Sequence, residues 1–360
     1  MNQLLIRADA DSRIGTGHLM RTLALAQAWQ SAGGSATFLS RCESDSLRER
    51  IESAGSGFIQ LHSSHPDSAD LEATLTTVRR FMSATRSADD HWLVLDGYHF
   101  DSGYQQAVRA TGCHLMVMDD NAHLPHYHAD VLLNQNLNAD RLNYNCNPGA
   151  RLLLGPDYVL LRPEFTSRRD PRRELVARAR NVLVTMGGSD PDNVTLRIMQ
   201  TLRKVRAQGL NVRIIVGPAN PHRASLEEAL RNSQGGFELL SPVADMSALM
   251  AWADVAISAA GSSCWELALL GVPMVLLIIA ENQRAIGTGI AERGAALLLG
   301  DAANLDAGGL ARTLEELIDD LPRRQSLADR ARAIVDGRGA ERVVAVMMGH
   351  TAMRRKEAGI

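Results

Sequence analysis

What this chain of 360 residues lacks narrows its chemistry before any motif is read. Its four cysteines, Cys42, Cys113, Cys146 and Cys264, include no Cys-x-x-Cys pair. That scatter suggests neither a zinc ribbon nor a disulfide framework, and reduced cytoplasmic thiols are the simplest expectation. The formal net charge of −3 gives no global pull toward nucleic acid or an anionic membrane. The longest strongly apolar run, Val272 to Ala280, is far short of a membrane span, and the first residues lack the basic flank and apolar core of a signal peptide. A cytoplasmic protein without stable membrane insertion is therefore expected. No Gly-x-x-x-x-Gly-Lys-Ser/Thr pattern occurs, and Met20 stands where a dinucleotide fingerprint would place its third glycine. A triphosphate P-loop and redox use of NAD are both disfavoured.

What is present has a regular grammar. Hydrophobic residues at 45% and charged residues at 22% are those of a globular protein, and the length suits two domains of roughly 150–180 residues. Leu4-Leu5-Ile6 reads as a strand that enters the loop Ile14-Gly15-Thr16-Gly17-His18, and apolar residues then recur at helical spacing through Leu19, Leu23, Ala26 and Trp29. Gly15 and Gly17 allow close backbone approach, and the first-turn N–H groups of the helix lack internal partners, which makes an anion site. His18 falls at the helix start, where the positive end of the dipole disfavours imidazolium. It is either a neutral general base or a residue that packs or caps the helix. Arg21, one turn on, either steers an anionic substrate or faces solvent.

The alternation continues with strands near 36–39, 58–61, 92–95, 114–118, 131–134 and 151–155, and helices near 46–54, 68–85 and 102–110, which calls for a parallel sheet with helices on both faces. Ligands collect at the carboxyl ends of such strands, where Asp96, Tyr98 and His99 lie. Asp119-Asp120 ends another strand; turn bonding is the favoured role over magnesium. A metal role for His123, His126 and His128 is disfavoured in a proline-containing loop. The arginine-rich, proline-punctuated segment 162–173 reads as an interdomain linker.

The second half repeats the pattern. A strand at 182–186 meets the turn Gly187-Gly188-Ser189, and Asp190-Pro191 reads as an N-cap with proline opening the helix. Helices near 221–232 and 246–253 separate further strands. The strand at 255–258 leads through Gly261-Ser262-Ser263 into a helix carrying Glu266, placed to bind a ribose diol or to complement the dipole. Asn282 ends the next strand region. The last hundred residues read as scaffold, with helices near 310–318, 324–335 and 340–353.

The expected fold is therefore α/β, with two Rossmann-like doubly wound domains facing a cleft. The first covers 1–165 and carries the histidine and the sugar side. The second, the nucleotide-binding one, covers 172–360, with the final helix free to pack back on the first. The motifs running from Ile6-Arg7-Ala8-Asp9 through Gly15-Thr16-Gly17-His18, with Asp96-Gly97-Tyr98, Leu154-Gly155-Pro156-Asp157-Tyr158, Met186-Gly187-Gly188-Ser189-Asp190-Pro191, Ala260-Gly261-Ser262-Ser263-Cys264-Trp265-Glu266 and Glu281-Asn282-Gln283, resemble the UDP-2,4-diacetamido-2,4,6-trideoxy-β-L-altropyranose hydrolases of pseudaminic acid biosynthesis. Those enzymes are similar in fold to the glycosyltransferase-B class. The resemblance implies metal-independent, inverting hydrolysis of a nucleotide-sugar without a cofactor. By it, His18 activates water, Tyr98 and Asn282 place the sugar and water, Gly188, Ser189, Ser262 and Ser263 hold the diphosphate, and Glu266 holds the ribose. Gly15, Gly17, Arg21 and Gly261 complete the binding set. The loop Asn121 to His126 departs from the arginine common at that place in the family, which bears on the sugar and on the acceptor. A glycosyltransferase of the same architecture and a non-catalytic sugar-nucleotide binder are the rival readings.

Overall fold

Along β1 (Gln3–Ala8) every residue after the first is buried, as expected of a central parallel strand covered on both faces. The computed structural model describes residues 2–11, 14–83, 91–207, 209–217, 220–231, 236–241, 243 and 245–358, with side chains through residue 350. Thr85 and Asn232, where the sequence suggests two helices end, lie outside these residues. The chain divides into two compact units, one formed by residues 1–163 and 338–360 and the other by 164–337.

In the first unit β1 leads to α1 (Gly17–Ser31), β2 (Ser35–Ser40), α2 (Asp45–Ser53), β3 (Gly57–Gln60), α3 (Ser68–Ser83), β4 (His91–Asp96), α4 (Ser102–Arg109), β5 (His114–Met118), β6 (Val131–Asn134) and β7 (Arg151–Leu154). The strands form one parallel sheet in the order β3-β2-β1-β4-β5-β6-β7. Ala8 pairs with Asp96 and Asp96 with Met118, so β1, β4 and β5 end level with one another. That register brings Asp9, Asp96, Asp119 and the start of α1 to one sheet edge.

The second unit begins with α5 (Pro163–Thr166, counted from the preceding proline) and continues through β8 (Asn181–Thr185), α6 (Val194–Leu202), β9 (Asn211–Ile215), α7 (Arg223–Arg231), β10 (Phe237–Leu240), α8 (Met246–Trp252), β11 (Val255–Ala259), α9 (Ser263–Leu269), β12 (Met274–Ile278), α10 (Arg284–Glu292), β13 (Leu297–Asp301), α11 (Ala307–Asp319) and α12 (Leu321–Arg332). Its sheet is again parallel, in the order β10-β9-β8-β11-β12-β13. The last helix, α13 (Gly339–Ala358), returns to the first unit, where Ala340, Val343, Val344 and Met347 join the core that α1 lays over the sheet.

Two local expectations are corrected. The segment read as the interdomain linker belongs, from residue 164 on, to the second unit: the Arg168 guanidinium donates to Ser247 Oγ (3.0 Å) and Asp245 Oδ2 (2.9 Å), and Arg173 donates to the carbonyls of Leu270 and Ala253. Those carbonyls end α9 and α8, where a cation satisfies both the orphan acceptor and the dipole. Further on, α6 starts at Val194 behind Asn193, not at Pro191, because Asp190 and Asn193 both adopt left-handed backbone (φ 43° and 50°) that a helix cannot include.

Candidate active site

His18 sits in the first turn of α1 behind Thr16, an N-cap whose side chain makes no capping bond. Gly15 has φ +77°, the left-handed conformation that a glycine adopts without a Cβ clash. Asp11 closes the loop through Oδ1, which accepts the Ile14 N–H at 2.7 Å. The His18 ring is largely buried, and its Nδ1 lies 2.6 Å from Asp96 Oδ1 at the end of β4. With a hydrogen on Nδ1 directed at the carboxylate, Nε2 is the ring nitrogen that presents a lone pair.

Asp96 is itself clamped. Arg21 donates from Nε to Asp96 Oδ2 (2.7 Å) and from Nη2 to Oδ1 (2.6 Å), and from Nη1 to both oxygens of Asp120 (2.9 and 3.2 Å). Arg21 therefore does not face solvent; its guanidinium braces two strand ends through charge-assisted bonds. Burial opposes the charge on Asp96, but the Arg21 guanidinium and the bonds from Arg21 and His18 outweigh it and hold the carboxyl well below the usual carboxylate range.

Tyr98 follows two residues after Asp96. Its hydroxyl donates to Asp120 Oδ2 at 2.7 Å, and its ring meets the His18 imidazole edge to face, with centroids 5.2 Å apart at 79°. Burial first, then the Asp120 charge, pushes the phenol far above its ordinary value and keeps it a hydrogen-bond donor. Asn136 donates to the remaining Asp120 oxygen at 2.9 Å. The first unit thus gathers His18, Arg21 and Tyr98 into one network around Asp96 and Asp120. Asp120, which the sequence pattern pairs with Asp119 as a turn residue, instead receives Arg21, Tyr98 and Asn136. Asp119 does bond its own turn, accepting the N–H groups of Asn121 (2.8 Å) and Ala122 (2.6 Å). His99 lies at the same edge, with Nε2 3.2 Å from Asp9 Oδ2, and Asp9 in turn pairs with the buried Arg7.

In the second unit Gly187 has φ +80°, and a Cβ on Gly217 would lie 2.3 Å and 2.5 Å from the carbonyl oxygens of Gly188 and Gly187. Gly217, unremarked in the sequence, is the glycine that lets the loops after β8 and β9 touch. Asp190 takes the N–H groups of Val194 (2.8 Å) and Thr195 (3.0 Å), so the first-turn amides of α6 already hold a carboxylate. The loop before α9 differs. Ser262, its N-cap, makes no side-chain capping bond, and Gly261, Ser262, Ser263 and Glu266 are each half-buried. Asn282 is exposed on a single 3-10 turn, Glu281–Gln283, braced by Gln283 Oε1 accepting the Ile279 N–H at 3.1 Å.

Away from these edges, His114, Asp130 and His350 form a group of metal-ligating type in the first unit. Arg109 and the Leu115 N–H (2.8 Å) already bind Asp130 Oδ2, so a dication there would stand beside a fixed guanidinium.

Among known proteins, residues 181–341 match the glycosyltransferase family 28 C-terminal domain. The spore coat polysaccharide biosynthesis protein SpsG of Bacillus subtilis (strain 168) is 30% identical over 221 residues, 61% of this chain and 65% of that protein. The UDP-2,4-diacetamido-2,4,6-trideoxy-β-L-altropyranose hydrolase of Campylobacter jejuni subsp. jejuni serotype O:2 is 23% identical over 295 residues, 81% of this chain and 97% of that protein. The chain thus spans just under two thirds of the Bacillus protein and nearly all of the Campylobacter one. MurG of Acinetobacter baumannii has a similar structure, with a TM-score of 0.65 at 16% identity, covering 97% of this chain and 100% of that one. The fold is that of the glycosyltransferase-B class, and the relative that the motifs pointed to is a relative in sequence.

Proposed function

From the premise of a glycosyltransferase-B fold, we propose that this chain hydrolyses a UDP-linked deoxy-diacetamido sugar at its anomeric carbon, releasing UDP and the free sugar. One observation carries the reading: an imidazole at a glycine-loop helix start, with Nδ1 2.6 Å from a buried aspartate that Arg21 keeps charged. Such a pairing fixes the tautomer that offers Nε2 as a base, as the buried carboxylate does in hydrolytic triads.

His18 Nε2 takes a proton from water as the water oxygen bonds to the anomeric carbon. The bond from that carbon to the β-phosphate oxygen breaks, and its electron pair leaves with UDP. A single displacement inverts the centre. UDP is a good leaving group, so the opposed acid of a glycosidase is unnecessary. Asp96 and Arg21 hold the base in register, and Tyr98 and Asn282 place sugar and water. In the second unit Gly188, Ser189, Gly261, Ser262 and Ser263 hold the diphosphate by N–H and hydroxyl donors and Glu266 binds the ribose, while in the first unit the Gly15–Gly17 amide loop is an anion site.

The family 28 domain match and the likeness to MurG favour a second reading, transfer of the sugar to an acceptor by the same base. Incubation with a panel of UDP-sugars separates the two. UDP release in buffer alone is the expected result; release only when a sugar acceptor is added would replace hydrolysis by transfer, and no release with retained binding would leave a sugar-nucleotide binder.

A further inference from the structure

We propose that His123 is a second imidazole of the sugar site, a specificity-determining residue whose Nε2 accepts a hydrogen bond from a hydroxyl or acetamido N–H of the sugar. The inference rests on the reading above and deepens it.

The loop after β5 is built to present this ring. Asp119 is 2% exposed, and its Oδ1 is occupied by the N–H groups of Asn121 and Ala122 and by the Tyr144 hydroxyl at 3.3 Å. Its Oδ2 lies 2.7 Å from His123 Nδ1. Ala122, between them, has φ 51°, a left-handed conformation that is unfavourable for a non-glycine residue and persists only where surrounding bonds enforce it. Tyr144 ties the same corner down, donating to the Asp119 carbonyl at 2.9 Å while accepting from Asn134 Nδ2 at 2.8 Å.

The result repeats the arrangement of His18. In both residues Nδ1 faces a buried strand-end carboxylate, at 2.6 Å and 2.7 Å, which leaves Nε2 on the far side of the ring from it. Both rings meet Tyr98 edge to face: His18 at 5.2 Å and His123 at 6.3 Å and 85°. A ligand that reaches Tyr98 is therefore near both a buried imidazole suited to proton abstraction and a second whose side chain is 34% exposed. Exposure suits the second ring to recognition: it meets a polar substituent of the sugar without being enclosed with the reacting bond. A site group that pairs with a substrate donor discriminates strongly against sugars lacking it.

The test compares wild type with His123→Ala and His123→Gln, using UDP-linked diacetamido-trideoxy sugar, UDP-N-acetylglucosamine and UDP, with melting temperature as the folding control. In His123→Ala we expect KM for the preferred sugar nucleotide to rise about tenfold or more, kcat to stay within about threefold, and inhibition by UDP to be unchanged; His123→Gln recovers part of the loss. An unchanged KM, an equal loss of UDP affinity, or a fall confined to kcat would overturn the inference while leaving hydrolysis standing. If wild type releases no UDP, hydrolysis fails and calorimetry decides this point alone: the ratio of sugar-nucleotide to UDP affinity falls in His123→Ala, and an equal ratio rejects the role.

Discussion

At the scale of single residues, His18 is the proposed base and Asp96 and Arg21 are its support. His18→Ala is expected to lower kcat by about a hundredfold to ten-thousandfold, the range of general base contributions, with UDP affinity nearly intact because the base acts on water. Near-normal kcat would remove His18 from the chemistry. Asp96→Asn keeps the shape but loses the charged acceptor for Nδ1–H, so kcat should fall by orders of magnitude without a comparable rise in KM; an unaltered kcat would reduce Asp96 to a brace for Arg21. The sequence made the positions of His18, Asp96 and Tyr98 legible because a helix start and the ends of parallel strands can be located from apolar periodicity, while the partners of Asp120 were not. It left Arg21 between substrate and solvent because the partner of a cation lies far along the chain: Asp96 and Asp120 are 75 and 99 residues away.

At the scale of elements, the loops after β8 and β9 are coupled by the bare backbone of Gly217. Gly217→Ala should push the Gly187–Gly188 turn aside and weaken UDP binding, read by calorimetry, with kcat at saturation less affected than KM. Equal UDP affinity would take that turn out of the nucleotide site. Glu266→Ala should likewise weaken UDP but not a ribose-free diphosphate, and identical losses for both would reject a ribose contact. Most helices and strands follow from the sequence pattern to within a few residues. The sequence pattern marks no helix at α10, and at α6 Asp190-Pro191 looks like a helix start, yet positive φ at Asp190 and Asn193, supported by the Asp190 bonds to Val194 and Thr195, delays the helix by one turn. Backbone handedness at non-glycine residues leaves no mark in composition. The segment 162–173 reads as a linker because the partners of Arg168 lie 77 and 79 residues away and those of Arg173 are helix-terminal carbonyls, neither of which a local side-chain pattern reveals.

At the scale of the whole molecule, the two parallel sheets have separate cores, and α13 joins the first unit from the far end of the chain. Among the described residues no helix is long and apolar enough to cross a membrane. Asp9, Asp96 and Asp130 are all held well below the usual carboxylate range, by cations and hydrogen bonds that outweigh burial. Because the folded chain binds these protons less readily than the unfolded one, their contribution is fully present above about pH 5 and is lost as pH falls through the depressed folded values. Urea midpoints should fall steeply below about pH 4; midpoints that hold or rise there would contradict the assignment. The central claim, that water attacks the sugar carbon, is tested most directly by running the reaction with a UDP-linked diacetamido-trideoxy sugar in oxygen-18 water, without an acceptor. Label should appear at the anomeric hydroxyl of the inverted sugar and not in UDP; label in UDP, or no UDP released until an acceptor is supplied, would contradict it.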